Sequence, residues 1–201
     1  MEFNPHGLIE QYGLDLAACL INRCSPDRLY VQTENLAIAR AVARRFVGCL
    51  EEILVDRREI ASSIREDYHL PATVYDDSLV DAAIIPFSRQ ARETPPPAKS
   101  MVLLAENSLS YKSLLRPGRV HDSATETRAW LEQRFSDIEV WGLLDPVFVA
   151  RLALSRLAGH RLPEIHFRVG QQALDDIYVT GYRALISYIV VLSGTLNEAV
   201  K

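Results

Sequence analysis

Apolar positions along this chain follow two rhythms, a helical spacing near 3.6 residues and short runs of four to eight, and the switches between them mark out the elements. In GLIEQYGLDLAACLINRC, Leu8, Ile9, Tyr12, Leu16, Leu20 and Ile21 fall near one helical stripe. Ser25-Pro26-Asp27 ends that helix, because the residue before proline disfavours the α conformation. RLYVQ predicts a first strand. Leu36, Ile38, Ala39, Val42, Ala43 and Phe46 predict the next helix, with Thr33 or Asn35 available as its N-cap. EEILVD (51–56) predicts a second strand, REIASSIREDYH a second helix of the core, ATVYD (72–76) a third strand, and VDAAIIPF (80–87) a fourth whose continuous apolar run implies burial on both faces.

The proline-rich SRQARETPPPAKS reads as a connection inside one domain, and MVLLAEN (101–107) as a fifth strand. Ser123-x-x-Glu126 is a capping box ahead of a helix. DIEVWGLL (137–144) predicts a sixth strand, followed by a helix over 146–157, a loop through Pro163 and a short helical stretch near 170–178. RALISYIVVLSG closes the series as a seventh strand. This alternation predicts one domain over 1–201, with an N-terminal helix in 1–25 and an α/β core over 26–194: a three-layer, Rossmann-like sandwich around a largely parallel seven-stranded sheet with an antiparallel last strand.

Composition narrows the picture. The 201 residues are 48% hydrophobic and 24% charged, the balance of a folded domain with a real core. A net charge of −4 gives no broad attraction to nucleic acid or to an anionic membrane, so neither is expected as a partner. The longest apolar run, ALISYIVVL, is too short to span a bilayer. Cys19, Cys24 and Cys49 are odd in number and lack a CxxC pair. They fit a reducing compartment as buried or inert thiols, and with no signal-peptide pattern at the N-terminus the expected location is the cytoplasm.

Candidate chemistry is sparse. No GxSxG or GxxxxGK[ST] occurs, which excludes a nucleophile elbow and a P-loop. His160 and His166 stand six apart around Pro163, a poor metal spacing, and no metal is expected. His121 lies in a polar loop where solvation is the simpler reading. The basic residues Arg151, Arg156 and Arg161 read as the wet face of a helix. Trp130, Trp141 and Phe148 read as core or interface residues.

In element order, and in the style of its second and fourth strands, the chain resembles the class I S-adenosylmethionine-dependent methyltransferases over roughly Pro26 to Gly194. The resemblance implies that Asp56, ending EEILVD, accepts hydrogen bonds from the cofactor's ribose hydroxyls, and that Asp76, ending ATVYD, lies near its adenine. It also implies that Glu34 and Asn35, in the turn after RLYVQ, lie near the methionine moiety.

That turn departs from the family. An acidic residue followed by GxGxG is expected where YVQTENLAIA stands, yet no glycine occurs between Gly13 and Gly48. Glycine there permits positive φ and a close approach of backbone to cofactor. Each candidate has a plainer role: Asp56 as a helix N-cap, Asn35 as a cap, and Asp76 with Asp77 as a turn. Ile84-Ile85 precede Pro86-Phe87, so the amine-positioning (N/D)PP(Y/F) motif is not present.

The missing glycines favour a degenerate cofactor site, as does the crossover after the fourth strand, only 13 residues (Ser88–Ser100) with three consecutive prolines where a parallel crossover needs about a dozen or more, usually helical. The resulting expectation is a binding or scaffolding protein, a homodimer or the partner of an active enzyme. The alternative is a divergent methyltransferase acting on a small-molecule or glycan acceptor, for which positioning alone supplies most of the rate.

Overall fold

The computed structural model describes residues 8–86, 96–107, 123–143, 178–187 and 189–196. The segments read from sequence as a helix over 146–157, the Pro163 loop and most of the helical stretch near 170–178 lie outside these residues. So do His121, Phe148, Arg151, Arg156, His160, Arg161 and His166.

Helix α1 (Leu8–Asn22) leads into β1 (Arg28–Val31), α2 (Leu36–Ala43), β2 (Glu52–Val55), α3 (Arg58–Tyr68), β3 (Ala72–Val74), β4 (Val80–Pro86) and β5 (Ala98–Glu106). Helix α4 (Ala124–Glu132), β6 (Phe135–Leu143), β7 (Tyr178–Val179), α5 (Tyr182–Leu185) and β8 (Ile189–Leu196) follow among the described residues. One sheet holds the eight described strands in the order β3-β2-β1-β4-β5-β8-β6-β7. The fold is the expected Rossmann-like α/β sheet flanked by helices, with one strand more than the sequence predicts.

The extra strand is β7, two residues paired antiparallel with the end of β6, Leu143 opposite Tyr178. It starts at Tyr178, where a helical stretch is expected. A second difference follows at once: RALI, read as the start of the last strand, lies in a helical turn, α5, entered through Gly181 at φ 65°. The hydroxyl of Ser187 donates to the Arg183 carbonyl and closes that turn. Helix α2 also stops at Ala43 rather than Phe46, and Phe46 is fully buried in the turns beyond it.

Contacts divide the chain into two compact units, one of Met1–Ala105, Trp130–Glu139 and Val191–Lys201, the other of Glu106–Ala129 and Val140–Val190. In the first, β1 pairs in parallel with β2 and β4, β2 with β3, and β4 with β5. Leu29, Tyr30 and Val31 are all buried, as are Ala82 to Ile85, so both faces of these strands are covered. The units β1-α2-β2 and β2-α3-β3 step the same way across the sheet. Right-handed crossovers therefore put both helices on one face, where α3 packs on β2, β3 and α2.

The step from β3 to β4 reverses direction and must cross the opposite face. Only Tyr75–Leu79 make it. Tyr75 continues the β3 pairing by donating to the Val55 carbonyl. Its ring then stacks on Tyr30 with centroids 4.0 Å apart and planes 16° from parallel. Arg28 holds the far end of the strap by donating to the Ser78 hydroxyl, and the Tyr75 hydroxyl donates to the Ser78 carbonyl. Asp81 fixes the adjoining strand starts, its carboxylate accepting from the amides of Asp27 and Arg28 and from Lys99 Nζ at 2.6 Å.

Strand β8 ends beside the beginning of β6, where Gly194 faces Phe135 and the Ser136 hydroxyl donates to the Thr195 carbonyl. Ser187, just ahead of β8, lies against Gly142 near the other end of β6, so β8 runs antiparallel to β6 as expected. In the second unit, Asn107 is fully buried and donates from Nδ2 to the carbonyls of Leu185 (2.7 Å) and Ser187 (2.9 Å). Its Oδ1 accepts from the Ala124 amide at 3.1 Å. The predicted capping box is present: Ser123 Oγ accepts from the Glu126 amide, and Glu126 Oε2 from the Ser123 amide.

Among the described residues, no helix is long and apolar enough to cross a membrane. Cys19, Cys24 and Cys49 are free thiols at exposed positions, and Cys24 donates to the Ser100 hydroxyl. Trp130 and Trp141 are half-buried.

Candidate functional site

The end of β2 carries the best-defined polar cluster. Asp56 follows Val55 by one residue and so shares a face with Leu54 and, through the parallel register Tyr30↔Leu54, with Tyr30. Tyr30 is 3% exposed, and its phenol donates to Asp56 Oδ1. The Thr33 amide donates to the same carboxylate. Asp56 is not a helix cap: the N-cap of α3 is Arg57, whose side chain caps nothing.

Burial raises the Asp56 carboxyl above the usual range against the opposing pull of these two donors, and the nearby Glu34 charge adds to the rise. Burial also raises the Tyr30 phenol, with the Asp56 hydrogen bond and charge adding to it. Tyr30 is therefore a neutral donor at any physiological pH.

Strand β1 ends in a turn that satisfies itself. Thr33 is 8% exposed, and its hydroxyl accepts from the Asn35 amide at 3.1 Å. Asn35 is the N-cap of α2, with φ −92° and ψ 111°, and its Oδ1 accepts from the amides of Ala37 (2.9 Å) and Ile38 (3.3 Å). Glu34 is exposed and turns outward to Arg57 at 2.6 Å. No residue from Gln32 to Asn35 has a positive φ. The backbone takes a path that needs no glycine, which explains how QTEN replaces the expected GxGxG without strain.

The remaining sequence candidates separate from this cluster. Asp76 is exposed, and its carboxylate is held below the usual range by donation from the Ser78 hydroxyl and amide. With Asp77 at φ 61°, it forms the turn of the strap. The structure therefore brings Thr33 and Asp56 together by hydrogen bond and sets Glu34 beside them as a charge. Asn35 caps α2 and Asp76 forms its turn. Among the described residues, no group of His, Cys, Asp and Glu is arranged to hold a metal.

Sequence reasoning missed Tyr30, Tyr75 and Gln32. Gln32 follows Val31, which is in register with Val55, so it lies beside Asp56 on the same sheet face. Its Oε1 is buried without a hydrogen-bond partner. A tyrosine inside an otherwise aliphatic strand was the available signal, because a buried phenol seeks an acceptor.

The sheet order and the helices on its face are those of the class I S-adenosylmethionine-dependent methyltransferase fold, and this chain has that fold. The solved structures it resembles include the methyltransferase domain of bacterial CtHen1 in two forms. The CN form gives a TM-score of 0.54 at 10% identity, covering 94% of this chain and all of that one. The C form gives 0.51 at 9% identity, covering 94% and 99%. The small RNA methyltransferase HEN1 gives 0.54 at 10% identity, with 92% of this chain matching 25% of that longer one. No protein-family model matches the sequence, and no curated protein does.

Proposed function

We propose that this protein is a methyltransferase-fold protein whose cofactor site is closed, and that it serves in the cytoplasm as a binding or scaffolding partner, either as a homodimer or beside an active enzyme. One observation carries the reading. The carboxylate that would receive the cofactor's ribose is already engaged by the Tyr30 phenol and the Thr33 amide. The turn that would cradle the methionine moiety is equally committed, with Asn35 capping α2 and the Thr33 side chain buried. As they stand, these residues do not fit S-adenosylmethionine, and no step of methyl transfer is derived from them.

A second reading, a divergent methyltransferase with a small-molecule or glycan acceptor, is favoured by the placement of Asp56 itself. It stays at the end of β2 and is not consumed in capping α3. Calorimetric titration of the full chain with S-adenosylmethionine and S-adenosylhomocysteine separates the two. No heat at millimolar ligand, from protein that melts cooperatively, is the expected result. Micromolar binding that disappears in Asp56→Ala overturns the closed-site reading and turns attention to acceptors.

A further inference from the structure

We propose that Tyr30 is an intramolecular lock on a latent vicinal-diol site formed by Asp56 and Gln32, its phenol hydroxyl standing where a ligand hydroxyl would donate. This inference rests on the closed-site reading and names what closes it. A phenol and a sugar hydroxyl offer a carboxylate the same thing, one neutral O–H donor, so a ligand hydroxyl approaching Oδ1 competes with the Tyr30 phenol for that oxygen. Tyr30 reaches Asp56 from within the sheet, held by its stack on Tyr75, and therefore competes at an effective concentration no free ligand matches.

The second half of the latent site is Gln32. Buried amide oxygens are normally paired, yet Gln32 Oε1 is not, and the parallel register sets it on the strand next to Asp56 and on the same face. Neighbouring strands lie about 4.8 Å apart. Two adjacent hydroxyls of a nucleoside can span that gap, one donating to each acceptor.

The hydroxyl of Tyr30 is separable from its packing. Phenylalanine keeps the ring, the volume and the stack on Tyr75 while removing the donor. Had position 30 served packing alone, the hydroxyl would carry no consequence for binding.

The test is calorimetric titration of the full chain and its Tyr30→Phe variant with S-adenosylhomocysteine, then with adenosine and 2′-deoxyadenosine as diol and non-diol probes. Tyr30→Met, which fills similar space and keeps a sulfur contact to Tyr75, serves if the phenylalanine variant folds poorly. The expected result is no heat from the parent chain and at least a tenfold gain in affinity on removing the hydroxyl. That gain disappears with 2′-deoxyadenosine, or when Asp56→Asn or Gln32→Leu is added. If cooperatively melting Tyr30 variants bind no better than a silent parent, the lock is overturned and the closed-site reading stands. If the parent binds S-adenosylhomocysteine as tightly as the variants, both fall together.

Discussion

Replacing Asn107 by alanine removes at least three hydrogen bonds at once from a fully buried position. It leaves the carbonyls of Leu185 and Ser187 and the amide of Ala124 without this partner. A buried backbone group so orphaned costs about 1–3 kcal/mol. Because one side chain serves all three and the surroundings relax partly, the total is about 3–5 kcal/mol, a large part of the roughly 5–15 kcal/mol that holds a domain together. For a chain of this length that lowers the melting temperature by roughly 6–20 °C.

Asn107→Asp sharpens the test, since it keeps the shape but turns a second oxygen toward the two carbonyls. The folded state then resists ionisation, so the carboxyl's folded pKa rises above its unfolded value. Its favourable contribution is full below the unfolded pKa and is lost as pH rises through the folded one. Urea unfolding at pH 7 and near pH 4 therefore shows Asn107→Asp well below the parent at pH 7 and closer to it at the lower pH. A loss under about 1 kcal/mol for the alanine variant, or an aspartate variant whose deficit does not shrink on acidification, refutes the account of Asn107 as the latch of this unit.

Gly142→Ala should destabilise more than Gly194→Ala in denaturant melts. A Cβ at 142 would meet the Ala184 Cα at 2.6 Å, fixed backbone, whereas at 194 the nearest atom is the movable Ile138 Cδ1 at 2.5 Å; overpacking of the first kind costs about 1–3 kcal/mol. Asp56→Asn keeps an acceptor for Tyr30 and Thr33 and removes a charge that burial disfavours. With the folded pKa of Asp56 raised, its ionisation costs stability as pH rises through that value, so the variant gains on the parent in thermal melts at pH 7 and loses that advantage toward pH 3. Asp81→Ala should cost about 1–2 kcal/mol at neutral pH by freeing two strand-end amides and Lys99. The Asp81 carboxyl is depressed, chiefly by Lys99, so the cost is present above the unfolded pKa near 3.8 and shrinks as pH falls through the folded one. A pH-independent deficit would contradict that assignment.

The parts of the fold that depend on local pattern were legible in the residues. The capping box at Ser123 and Glu126, the cap at Asn35 and the buried run of β4 each follow from a few neighbouring positions. What escaped was decided by register. That Tyr30 meets Asp56 requires β1 beside β2 in one parallel alignment, and the orphaned Gln32 oxygen depends on the same alignment. Strand β7 and the helical turn of α5 were missed because two-residue pairings and four-residue turns carry too few positions to show a period. Asn107 reads in sequence as a strand-end polar residue, and only the approach of Leu185 and Ser187 gives it a purpose.

The strap between β3 and β4 sets a length. Six Cα–Cα steps from Val74 to Val80 reach at most about 20 Å, and three strand spacings across β2 and β1 already take about 14 Å. No helix fits in that connection, and little slack is left for a shorter one. Removing one residue from Tyr75–Leu79 would pull β4 along β1 by a position, and a one-residue slip turns every inward side chain of a strand outward. Leu29 faces Ala82 and Val31 faces Ile84 because five residues, no fewer, lie under the sheet. The strap works as a ruler for the central strand pair, and homologous variation in this chain should therefore tolerate changes of residue there far more readily than changes of length.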